Sequence, residues 1–182
     1  MAKASDDLKH EHEAILFALK VLEVMNGRIA AGRDKIVRDA LAMVEFLKLF
    51  ADKCHHGKEE GIYFPALEEA GIPKQGGPIG VMLEEHEAGR GYIKQMQGAI
   101  KDSAVQKEKF IKSSGGYIVL LRNHIEKENT VLFPMGDERL SEEKQNELLK
   151  LFEEFEETVI GKGKHEELHK MLDYFNDTYI AE

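Results

Sequence analysis

HHGKEEGIYFP (His55 to Pro65) and HIEKENTVLFP (His124 to Pro134) are two copies of one pattern. Both open on His, carry Lys at the fourth place and Glu at the fifth, and close on Phe-Pro. This register pairs His55 with His124 and Glu59 with Glu128. It sets the neighbouring His56 and Glu60 opposite Ile125 and Asn129. Upstream, LKHEHEAI and LEEHEAGR share a His-Glu-Ala core that pairs His12 with His86. Each half of the chain therefore offers one His on a first segment and a His-x-x-x-Glu on a second.

Working outward, the 3.6-residue apolar period dominates and marks six amphipathic helices. The first runs from about Ser5 to Ala31 with Leu8, Ile15, Leu16, Leu19 and Leu22 on one stripe, and closes near Gly32. Asp34 is expected to cap the second, which carries Val44, Leu47, Ala51 and Ile62. After the loop GIPKQGGP, Pro78 suits the first position of a third helix expected to run to about Ser103. The fourth starts near Val105 with Phe110, Tyr117, Leu120, Leu121 and Val131. Ser141 caps a fifth bearing Leu148, Phe152, Phe155 and Val159, and GKGK separates a sixth with Leu168, Leu172, Phe175 and Tyr179. No linker is long enough to divide the chain. The expected architecture is one all-α domain over 1–182, a helical bundle with short connections.

A ligand inside a bundle has to share the stripe of apolar residues facing the core. At about 100° per residue, His12 falls among Leu8, Ile15, Leu16 and Leu19, whereas His10 points away. His86 lies among Met82, Leu83 and Ile93, and His124 among Tyr117, Leu120, Leu121 and Val131. His55 shares a face with Val44, Ala51 and Ile62, while His56 turns toward Glu45, Asp52 and Glu60. Stripe and repeat agree on His12, His55, Glu59, His86, His124 and Glu128, and leave His10, His56 and Glu60 outside. Four imidazoles and two carboxylates converging without a cation would leave buried charge uncompensated, at several kcal/mol per ion. Imidazole with carboxylate and no thiolate suits iron, zinc or manganese, and six donors exceed one tetrahedral zinc. Two ions fit, with roughly one open position on each.

These residues resemble the hemerythrin-like, or HHE cation-binding, family over about residues 5 to 135. The family pattern of His, His-x-x-x-Glu, His, His-x-x-x-Glu falls on His12, His55, Glu59, His86, His124 and Glu128, with the Phe-Pro endings at Phe64-Pro65 and Phe133-Pro134. The resemblance implies an up-down-up-down four-helix bundle around two iron ions, bridged by the glutamates and an oxo or hydroxo group. Helices over about 141–181 would be accessory. Oxygen-carrying members have an extra His one turn after the third-helix ligand and an Asp as last carboxylate; here those places hold Arg90 and Glu128. The chain is thus closer to members with four His and two Glu, which are associated with redox chemistry or stress response involving dioxygen, peroxide or nitric oxide. A non-enzymatic oxygen or iron sensor or store is the alternative. An enzyme of this kind is a di-iron oxidoreductase fed by an external electron donor, since no flavin, haem or cysteine-cluster motif is present. Arg90, which could meet a bound anion or a bridging carboxylate, is expected behind the ligands, as are His165 and His169.

Composition narrows the rest. Of 182 residues, 25 are Lys or Arg and 34 Asp or Glu, giving a net charge of −9 and no basic block for a phosphate backbone. Nucleic acid is not an expected partner. No run approaches the roughly 18 apolar residues of a membrane span, and a single cysteine, Cys54, excludes an internal disulfide. The expectation is a cytoplasmic protein with no membrane partner. His165-Glu-Glu-Leu-His169 matches the HExxH of zinc proteases, but no third ligand follows it. Cys54 reads as a small buried apolar group and EEFEE (Glu153 to Glu157) as a solvated face.

Overall fold

The computed structural model describes residues 3–33, 36–101 and 104–181. Six helical rods make up the chain, in the order expected. The first is Ala4–Ala30. The second runs unbroken over residues 37–69, the third is Pro78–Gly98, and the fourth runs over residues 107–139. The fifth and sixth cover residues 142–161 and 164–180. Pro78 is the first residue of the third helix, and the Ser141 side chain accepts from Lys144 N at 3.2 Å to cap the fifth. Gly32, at φ 77°, supplies the left-handed residue that ends the first. Asp34 and Ser103 lie outside the described residues. The third helix stops at Gly98 rather than near 103, because Ile100–Lys101 pairs antiparallel with Ala104–Val105.

The rods are not uniformly α-helical. Leu47–His56, Glu59–Tyr63 and Glu128–Leu132 are wound as π-helix. Two of these stretches have a visible cause in the sequence. Pro65 and Pro134 have no N–H for the carbonyls of residues 61 and 130, and their rings would collide with those carbonyls in a tight α-turn. Widening the turn before each proline removes the collision. Several stripe assignments differ in the structure, with the winding as the cause at Val131 but not at Leu16, whose helix is α throughout. Val131, placed inward by α-geometry, is 49% exposed, and Leu16 and Val159 are also exposed. Tyr63 takes an interior place that periodicity did not give it.

Two apolar layers form the core. One gathers Ile15, Leu19, Leu22, Phe46, Phe50, Ile93, Tyr117 and Leu121; the other gathers Leu8, Tyr63, Phe64, Ile79, Met82, Leu132 and Phe133. Along every long rod the histidines lie between them: His12 between Leu8 and Ile15, His86 between Met82 and Ile93. A polar layer is thus sealed above and below by hydrocarbon. The last two helices pack on the same layers, the fifth through Leu148 and Phe152 and the sixth through Leu168 and Phe175. A buried side chain of this kind contributes about 1.5–3 kcal/mol.

Candidate metal centre

Seven π- or α-helical positions converge on the polar layer, and their donor atoms fall into two groups. His12, His55, Glu59 and Glu128 place one donor each within 4.8 Å of one another, as do His56, Glu59, His86 and His124. Glu59 belongs to both groups. Its two oxygens lie 3.4 Å from His55 Nε2 and 3.3 Å from His86 Nε2. Glu128 Oε2 lies 3.1 Å from His12 Nε2 and 3.3 Å from His124 Nε2. All six residues named from the repeat come together, each at most 1% exposed.

His56 corrects the sequence reading. It is buried, with its ring stacked on His86 at a centroid distance of 3.8 Å, instead of turning out beside Glu45. The reason is the winding. At about 80° per residue in a π-helix, nine steps from the buried Leu47 complete two turns, so His56 returns to the inner face. At 100° per residue it would land opposite. The wide turn lets His55 and His56 both point inward. His10 is solvent-exposed as expected.

In the four histidines named from the repeat, the ring nitrogen that does not face inward is held. His55 Nδ1 donates to Glu11 Oε2 at 2.8 Å and His124 Nδ1 to Glu85 Oε2 at 2.9 Å. His12 Nδ1 meets Asn129 Oδ1 and His86 Nδ1 meets Glu60 Oε1, each at 2.8 Å. Such contacts fix the tautomer and aim Nε2 at a metal. They also obey the internal repeat: Glu11 and Glu85 each precede a first-segment His, while Glu60 and Asn129 each follow a central Glu. Lys58 and Lys127, the fourth-place lysines of the repeat, pair with Glu11 and Glu85. The signal was in the repeat, although its role was not assigned there. Arg90 reaches Glu60 at 2.6 Å and Asp52 at 2.9 Å, so it braces Glu60 rather than either central carboxylate. His165 and His169 lie against Phe50 and share a cavity of about 100 Å³ with Glu11 and Glu156. Among the described residues their ring contacts are with Phe50 and with each other.

The donor set fits a cation on its own chemistry. Both oxygens of Glu59 and of Glu128, Nε2 of His12 and His55, and both ring nitrogens of His56 are buried without a hydrogen-bond partner. Burial opposes charge here, yet Glu128 is held well below the usual carboxylate range by His124 and His12. Burial likewise works against protonation of His124, but Glu128 and Glu85 raise it to about 10. His12 and His86 are raised by Glu128 and by Glu59 with Glu60. Protons on imidazole thus supply the positive charge that the carboxylates demand. Burial instead drives His55 down to about 3, and with His86 beside it holds His56 well below its ordinary value. Both keep the neutral form that donates a lone pair. The Cys54 thiol, buried and pushed up to about 12 by burial and Glu11, is not a reactive thiolate.

Among the described residues, no helix is long and apolar enough to cross a membrane. No curated protein and no solved structure matches the chain. A family model described as the hemerythrin HHE cation binding domain matches residues 3–136, a span that contains every donor of both groups. The chain belongs to the hemerythrin HHE cation-binding domain family.

Proposed function

We propose that this chain is a non-haem di-iron protein that carries out redox chemistry on dioxygen, peroxide or nitric oxide, with its first four helices forming the up-down-up-down bundle of its family. The observation that carries this reading is a sealed layer of five imidazoles and two central carboxylates in which both oxygens of each carboxylate and the inward nitrogens of His12, His55 and His56 lack partners. His12 and His55 would hold one iron ion, and His56, His86 and His124 the other, with Glu59 and Glu128 between them. Zinc or manganese would fit the same donors. Bound iron supplies one-electron steps and coordination positions for a small molecule.

The chain's own residues do the rest. Glu11, Glu60, Glu85 and Asn129 orient the imidazoles. Phe133, stacked on His12 at 5.4 Å, and Phe64, stacked on His86 at 5.8 Å, exclude water from one side. His56 changes the coordination expected from the repeat. With three imidazoles on one side and two on the other, the His12–His55 side would leave more room for a small molecule beside a bound ion. Electrons come from an external donor in a reducing compartment such as the cytoplasm. Metal analysis of the purified protein tests the reading, together with near-ultraviolet absorption of the oxidised form: two iron ions per chain support it, and a metal-free chain that takes up none refutes it. A protein that holds both ions yet never turns over with an added donor is the sensor or store.

A further inference from the structure

The repeat builds the same three-residue chain twice, His55–Glu11–Lys58 and His124–Glu85–Lys127, but only the first is roofed. Lys58 is fully buried. Its Nζ forms an ion pair with Glu11 Oε1 at 2.7 Å and donates to Asp7 at 3.1 Å and to Glu156 Oε1 at 2.7 Å. Glu11 uses its other oxygen for His55. Glu156 comes from the fifth helix, beyond the span that matches the family. The same face of that helix lays Phe152 against the Lys58 ammonium, 5.1 Å from the ring centroid. One turn on, Phe155 packs where residue 57 has no side chain; a Cβ on Gly57 would stand 2.7 Å from the ring. On the other side, Lys127 is 42% exposed and its carboxylate partner Glu85 meets water.

Glu11, Cys54 and Glu156 bring donor atoms within 4.8 Å of one another, the spacing of a cation site, and the Lys58 ammonium already sits among them. The carboxylate that aims His55 is thus fixed through Lys58 by a helix outside the four-helix core.

We propose that Lys58 and Glu156 are positioning residues for the ion held by His12 and His55, so that the C-terminal helices set the affinity and electronic character of one metal position and not the other. This rests on the di-iron reading above. Outer partners of ligating histidines typically change metal affinity 10–100-fold when lost. Removing the charge of Glu156 takes one of three carboxylate partners from Lys58, which frees the Lys58–Glu11 pair to shift and His55 to turn.

The test uses the full chain loaded with ⁵⁷Fe. Glu156→Gln keeps shape and removes charge; Glu154→Gln makes the same charge change on an exposed position of that helix. Lys58→Met is the harsher variant, and Glu156→Gln keeps the proposal testable if it does not fold. Mössbauer spectra and chelator competition are the readouts. For Glu156→Gln the expected result is one altered iron signal of the two and loss of one ion about 10-fold more readily, with Glu154→Gln like wild type. Unchanged spectra in Glu156→Gln, or both signals moving together, overturn the proposal. Wild-type protein that binds no iron refutes the di-iron reading instead.

Discussion

Replacing His56 by isoleucine, the residue the second half of the repeat carries at this place, separates a ligand from a packing histidine. His56 has neither ring nitrogen hydrogen-bonded, and both are buried. An unsatisfied buried polar group costs about 1–3 kcal/mol, so His56→Ile should leave the metal-free protein more stable by about that amount. For a domain of this size that is an increase of about 2–12 °C in Tm. Metal binding should move the other way. A four-donor site is worth about 10–16 kcal/mol in small zinc domains, so one donor of the His56–Glu59–His86–His124 group is worth roughly 3 kcal/mol, or about 10²-fold in affinity. Anaerobic Fe²⁺ titration against a chelator reads this directly: wild type should retain two ions where His56→Ile retains one. A lower Tm for the metal-free variant with two ions still held would show that His56 packs and does not ligate. The α-helical register would then be the right description of that turn.

Metal-free protein should show a stability maximum near pH 6.5. Below it the unfolded chain binds protons that the folded state refuses at His55, held at about 3, so stability falls as pH drops toward 4.5; above it the folded state keeps the His124 proton up to about 10, so stability falls as pH rises. Each arm should slope by at least about 1.4 kcal/mol per pH unit, and bound metal, which needs His124 neutral, should abolish the alkaline arm; urea melts that stay flat from pH 5 to 9 contradict this. Gly57→Ala should destabilise by about 1–2 kcal/mol, since overpacking against Phe155 outweighs the helical gain of losing a glycine, whereas Gly61→Ala, with nothing within 4 Å, should stabilise by about 0.5–1 kcal/mol in the same melts. Arg90→Gln and the pair His165→Ala with His169→Ala should each leave two ions per chain, because these side chains touch outer residues only; loss of an ion in either would place that residue among the donors.

The six helices and the clustering of the six repeat-derived residues were legible because they are encoded locally. An apolar stripe, a capping Ser141, a Gly32 at a helix end and a His-x-x-x-Glu four residues apart all act over a turn or two of chain, and a duplicated motif reports on itself. The prolines at 65 and 134 were equally visible, but the winding they impose was not read from them. Whether an N–H bonds four or five residues back depends on which side chains have to enter the core beside it. Away from the prolines, over Leu47–His56, that choice fell to packing between rods and carried His56 inward, whereas Pro134 imposed it over Glu128–Leu132 and left Val131 outward. The carboxylates behind the imidazoles were present in the repeat as letters without partners, because Glu11 meets His55 only across 44 residues of chain. Helix geometry could say which way a residue faces along its own rod. What it faces is fixed by how separate rods are packed, and that alone joined Glu156 to Lys58.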